Sequence, residues 1–161
     1  MLTNLLKKIV VAVILTTALS AAAERAPSAA ESRAQGAIVG TWFVRVPGGG
    51  GAQDFYAYQT FGTNGTFTET SSLLGTLPEG PAHGAWKAGA DGKIALTFEL
   101  FSFDAAGTAV GRVRVRCLID VGGNTFHADG KVDILSLEGE VLAEAVASGP
   151  FEGTRVQTLP L

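Results

Sequence analysis

The chain contains a single cysteine, Cys117, so no intrachain disulfide can hold it together. A domain without that reinforcement must be stabilised by its hydrophobic core or by association. Histidine is almost as scarce. His83 and His127 lie far apart in the chain, and with one thiol they form no metal-ligand spacing, so neither a metal nor another cofactor is expected. Positive charge is also in short supply, with 12 basic against 15 acidic side chains and a formal net charge of −3. That balance supplies no field for holding nucleic acid or an anionic membrane surface. Heptads and internal repeats are missing, and Ser71-Ser72 lacks the context of a nucleophile elbow. The GGGG run at 48–51 opens no helix, which excludes a phosphate cradle and leaves a flexible candidate lid.

The longest apolar run stands at the start. Lys7 and Lys8 precede IVVAVILTTAL (9–19), which is too short to span a bilayer comfortably and is followed by small residues at Ala21 and Ala23. This layout predicts a signal peptide over 1–23, export to the periplasm or beyond, and no integral membrane span after cleavage. Loss of the two lysines leaves the remainder more acidic still. Residues 24–36, ERAPSAAESRAQG, are small and polar without periodicity and are expected to be a flexible linker. Residues 37–161 suffice for one domain with one core.

That remainder shows runs of β-branched and aromatic residues punctuated by glycine-bearing turns. The runs are AIVGTWFVRV (37–46), FYAYQTF (55–61), TFTETSS (66–72), HGAWKA (83–88), KIALTFELFSFD (93–104), AVGRVRVRCLID (109–120), TFHADGKVDILSL (125–137) and a broken run over 141–156. Most intervening segments have hairpin length. An eight-strand meander leaves two open edges unless it closes, and closure at this number leaves a lumen filled by side chains or holding one small ligand. The expected fold is therefore all-β, an antiparallel eight-stranded up-and-down barrel. A two-sheet sandwich, the alternative, requires long crossovers that these turns do not supply.

Charge phase supports closure. Val113, Val115, Cys117 and Ile119 share one face of their strand, while Arg112, Arg114 and Arg116 share the other. A register through the AAGT loop sets Arg114 opposite Glu99. A Gly122-Gly123 turn would set Arg116 opposite Asp129 and Arg112 opposite Asp133. Such a lattice reads as a solvated exterior, with each exposed pair contributing about 0–1 kcal/mol. Cys117 reads as an inert core thiol and His127 as a solvated side chain. A phase change at Leu100-Phe101 points to a bulge or to an apolar residue exposed to a partner.

The hairpin FGTNGTFTETSS (61–72) raises the functional question. A three-residue loop Thr63-Asn64-Gly65, with glycine in the left-handed position, pairs Phe61 with Phe67, Gln59 with Glu69 and Ala57 with Ser71. The phenylalanine face should point inward and would carry Glu69 with it. A two-residue Asn64-Gly65 turn would instead place Glu69 beside Tyr58 outside. A buried carboxylate must be paired, hydrogen-bonded or protonated. Gln59 could donate to it, and His83 could lie near the same mouth.

Gly40-Thr41-Trp42 in the first run and Gly153-Thr154-Arg155 in the last resemble the closure signature of the calycins, which include the lipocalins. In that group the arginine packs across the tryptophan at the closed end of the barrel. The resemblance implies structural roles for Trp42 and Arg155, worth about 0.5–2 kcal/mol as a cation–π contact. It also implies a pocket for a small hydrophobic molecule. The second and third lipocalin motifs and a C-terminal helix are not recognisable. Allene oxide cyclase and dirigent-type barrels, and exported bacterial barrels without assigned activity, resemble the chain as well.

Three functions follow. The first is an exported barrel binding a small hydrophobic molecule among Phe55, Phe61, Phe67, Trp86, Phe98 and Val115, with Gln59 and Glu69 as its polar features. The second is a cyclase or isomerase in which Glu69 is the catalytic acid or base. The third is a non-catalytic envelope or interaction module with a packed interior. Oligomeric state is left open by the sequence.

Overall fold

The structure is a computed structural model, which describes residues 25–48, 52–75 and 79–160. The expected signal peptide, and the centre of the glycine run, lie outside the described residues. The elements are a helix α1 (Ala29–Ile38) and strands β1 (Gly40–Val46), β2 (Phe55–Phe61), β3 (Thr66–Ser71), β4 (Ala82–Ala88), β5 (Ile94–Phe103), β6 (Ala109–Gly122), β7 (Thr125–Leu135) and β8 (Val141–Arg155). A short 3₁₀ turn, Ser72–Gly75, follows β3. Each strand pairs antiparallel with the next, and β1 pairs with β8, so the sheet closes into a barrel. The expected architecture is the observed one.

Alternation follows the pleat. On β2, Ala57, Gln59 and Phe61 are buried while Tyr56, Tyr58 and Thr60 are exposed. On β5, Ile94, Leu96 and Phe98 point inward, and on β7 Phe126 and Ala128 do the same. Trp42 and Phe126 meet edge to face with centroids 5.1 Å apart, and Phe61 and Phe67 do so at 5.0 Å. Edge-to-face contacts of this kind add about 0.5–1.5 kcal/mol beyond area burial.

The expected linker is replaced by helix. Ser28 accepts a hydrogen bond from the Glu31 amide at 3.1 Å, and the Glu31 carboxylate accepts one from the Ser28 amide at 3.1 Å. This capping box satisfies two otherwise unpaired helix donors. Ala34 and Ile38 are buried in the main core, and α1 packs on β4, β5 and β6. The helix therefore plugs the end at which β1 begins. Composition suggested a tether because two buried side chains are too few to create a visible apolar stripe.

The registers separate what a turn can predict from what it cannot. Gly65 has φ 81°, and Phe61, Gln59 and Ala57 face Phe67, Glu69 and Ser71. Glu99 faces Arg114 and Thr97 faces Arg116, also as expected. The β6–β7 register is shifted by two residues from expectation, so Arg114 faces Asp133 and Arg116 faces Lys131. Its turn is Gly123-Asn124, with Gly123 at φ 63°, rather than Gly122-Gly123. A shift of two preserves the faces. The arginines remain outside, with Arg114 and Arg112 on Glu99 at 2.8 and 3.0 Å and Arg116 on Asp133 at 2.8 Å. Asp133 is nevertheless covered, and its carboxylate also accepts from the Ala145 amide at 3.0 Å. Arg116 and that amide hold its pKa below the ordinary range. The bulge expected at Leu100-Phe101 lies at Ser102/Phe103, and Phe101 is exposed.

The two halves of the sheet differ in length. β8 pairs with β1 only from Glu152 to Arg155, while its residues 141–151 continue along β7. Strands β5 to β8 therefore rise past β1 to β4 at the end opposite α1.

Candidate functional site

At the plugged end, the expected closure contact is present. The Arg155 guanidinium carbon stands 4.2 Å from the Trp42 ring centroid, and its nitrogens donate to the carbonyls of Val39, at 2.7 Å, and Ala37. Trp42 Nε1 donates to the Ile38 carbonyl at 2.8 Å, tying β1 to the end of α1. Gly40, at φ 127°, leaves the space that a side chain would take from Arg155, since an added Cβ would stand 2.7 Å from Nη1. Trp86 Nε1 donates to the carbonyls of Gly62 and Thr66, both at 3.1 Å, so that ring is also committed to the plugged end.

Above this floor the interior loosens. Trp42, Val44, Ile94, Ile119 and Phe126 have no exposed area, but Val46, Phe55, Leu100, Val113 and Val115 are only half-buried. The change marks a less tightly covered zone of the wall toward the end opposite α1. Phe61, Phe67, Trp86 and Phe98 pack on one another below it, with Phe67 and Phe98 stacked at 5.0 Å. Phe55 and Val115 are half-buried in that zone.

Gln59 and Glu69 stand opposite each other on β2 and β3, on the inward face. The Gln59 amide nitrogen donates to Glu69 Oε2 at 2.6 Å. Gln59 is 2% exposed, and its Oε1 is buried without a hydrogen-bond partner among the described residues. Leaving an acceptor in that condition costs about 1–3 kcal/mol unless something occupies it. Burial pushes the Glu69 pKa up to about 7, the Gln59 hydrogen bond opposes the rise, and the charge of Glu79 adds to it. Glu69 is thus poised between its two protonation states near neutrality.

Glu79 belongs to this site although nothing in the sequence marked it. It forms a β-bridge with Ser102, whose place on β5 is inward, and burial raises its own pKa. It sits in the long link between β3 and β4, where no strand phase could be assigned. Cys117 faces the same interior from β6, buried, with its thiol pKa pushed up to about 12 by burial and by Glu69. It is an inert thiol at physiological pH. His83 does not join the mouth. It is exposed on the outer phase of β4, between Thr68 and Glu99, because alternation from the inward Trp86 puts position 83 outside and gives the inward place to Ala82. His127 is exposed as expected.

Two hollows lie on the barrel wall, one of 440 Å³ bordered by Arg45, Asp120, His127 and Glu152, the other of 480 Å³ bordered by Arg116, Gly130, Lys131 and Gly149. Neither reaches Gln59 or Glu69. No group of three or more metal-ligating side chains occurs among the described residues. No described helix is long and apolar enough to cross a membrane.

Fold and site together define a small antiparallel barrel with α1 across one end and a buried amide–carboxylate pair inside it. Comparison of the chain with protein-family models, curated proteins and solved structures finds no match.

Proposed function

We propose that the chain is an exported barrel that holds one small, largely apolar molecule at its open end, with the polar group of that molecule at Gln59 and Glu69. One observation carries the reading: the buried, unpartnered Oε1 of Gln59, placed beside a carboxylate inside the barrel. A bound hydroxyl or N–H would satisfy that oxygen. Phe55 and Val115 would contact the apolar body, and Phe98 and Phe67 would form the base on which it rests. Phe61 and Trp86 lie deeper and support that base. Export rests on the N-terminal sequence, and the calycin-like closure contact is consistent with a carrier.

Native mass spectrometry of the protein purified from its own compartment tests this reading. A retained small molecule is expected. Repeated empty spectra, with no uptake of apolar probes by the folded protein, would leave the packed interaction module as the better account.

A second reading is favoured by one specific observation, the Glu69 pKa of about 7, which suits a general acid or base. A cyclase or isomerase would return the retained molecule altered after incubation, and Glu69→Gln would abolish that conversion. A carrier returns it unchanged.

A further inference from the structure

We propose that the open end selects an organic cation: a small amine whose ammonium is held between Glu69, Glu79 and the free Oε1 of Gln59 while its apolar body lies against the wall. This inference rests on the binding reading above and names the chemistry of the molecule bound. The carboxylates and the vacant amide oxygen on this face all offer acceptors, and the hydroxyls of Ser71 and Ser102 are the neutral groups beside them. Glu69 and Glu79 are carboxylates on the inward side, and Gln59 has its donor nitrogen occupied by Glu69 and its acceptor oxygen vacant. The Gln59 oxygen is independent of the two acids and asks for the same thing, a donor.

The arginines of the barrel are committed elsewhere, and Lys87, Lys93 and Lys131 are exposed on its outside. Arg112, Arg114 and Arg116 lie on the outer face with Glu99 and Asp133. Arg45 is bound outside to Asp54 at 2.7 Å and to Glu152 at 3.4 Å. Arg155 does point inward, but at the floor, where Trp42 and the carbonyls of Ala37 and Val39 occupy it. No basic side chain is among the groups acting on Glu69. A carboxylate ligand such as a fatty acid would therefore meet two like charges and no counter-ion. A neutral alcohol can satisfy Gln59 with one hydrogen bond. An ammonium carries three donors and supplies the missing charge.

The site should then be pH-dependent. The titratable groups facing Glu69 are Glu79 from the β3–β4 link and Cys117 from β6, whose thiol stays neutral over the relevant range. Amine binding should tighten as pH rises through the Glu69 pKa of about 7. It should then hold until the amine itself loses its proton, near pH 10.

Calorimetric titration of the full exported chain with octylammonium, octanol and octanoate separates the possibilities. At pH 8 octylammonium should bind about tenfold or more tightly than octanol, with octanoate weakest. At pH 6 the preference should shrink. Glu69→Gln and, separately, Glu79→Gln should each reduce the ratio of octylammonium to octanol affinity, and circular dichroism confirms that each variant is folded. Octanol or octanoate binding as well as octylammonium would overturn the cation inference while leaving the barrel a carrier. Failure of all three probes to bind would remove both.

Discussion

The floor and the mouth of this barrel are built from the same strands with the same alternation, yet they behave as different materials. At the floor, Trp42, Phe126 and Ile94 have no exposed area, and each polar atom of the Trp42 and Arg155 side chains named above has a partner. Toward the other end, aliphatic side chains of the same inward phase stay half-exposed, and between the two ends a carboxylate is desolvated and an amide oxygen has no partner. The difference lies in what covers each end. α1 is laid across the floor, whereas among the described residues the other end carries the 3₁₀ turn after β3, the Glu79–Ser102 bridge and the overhang of β5 to β8. Stability is concentrated at one end, and unsatisfied chemistry lies away from it.

The largest effect should come from cutting into the floor. Trp42→Ala removes a fully buried ring, its bond to the Ile38 carbonyl and the platform under Arg155, and should cost about 3–5 kcal/mol in denaturant unfolding. Val115→Ala at the half-buried mouth should cost about 1 kcal/mol. Equal losses at the two sites would erase the distinction between the ends.

Acid titration of stability should sharpen it. Glu69 has a folded pKa of about 7, above the unfolded value near 4.3, so the folded chain holds this proton more tightly. Below about pH 4 both states are protonated and the difference vanishes. Between the two values the unfolded state has already released its proton, so stability falls as pH rises, and it levels off above about pH 7. The loss should be on the order of 2–3 kcal/mol between pH 5 and pH 8. Glu79 acts in the same direction. Urea unfolding across that range checks the slope, and Glu69→Gln should flatten most of it. An unchanged slope in the variant would mean that Glu69 is solvated after all.

How much of this was legible depended on whether the signal was local. The Phe61–Phe67 hairpin could be read because glycine at one loop position sets the register, and the register carries Glu69 inward with the phenylalanines. The closure of Trp42 on Arg155 was legible only through likeness to a family, since the two residues stand at opposite ends of the domain. The β6–β7 register was misplaced because VGGNT offers two glycines and either could begin the turn. Glu79 was illegible for a related reason: the link between β3 and β4 is long, and pleat phase is lost across it, whereas the outward side of His83 follows from Trp86 three residues on. The overhang of β8 beyond β1 was hidden too, because strand length in one strand says nothing of where its neighbour stops.

The smallest effect concerns the plug, and here the sequence held a signal that composition obscured. Ser28-Ala29-Ala30-Glu31 is the S-x-x-E pattern of a capping box, and both of its reciprocal hydrogen bonds form. Ser28→Ala removes the hydroxyl that accepts from the Glu31 amide, which should cost about 1 kcal/mol. The loss should be local. Hydrogen exchange should quicken in the first turn of α1, and Ala34 and Ile38, further along and buried, should keep the helix seated on β4 to β6. Binding at the far end should not change, because α1 contributes no residue to the mouth. If Ser28→Ala instead altered ligand affinity there, the plug and the opening would be coupled through the barrel wall, and floor and mouth could no longer be treated as independent halves.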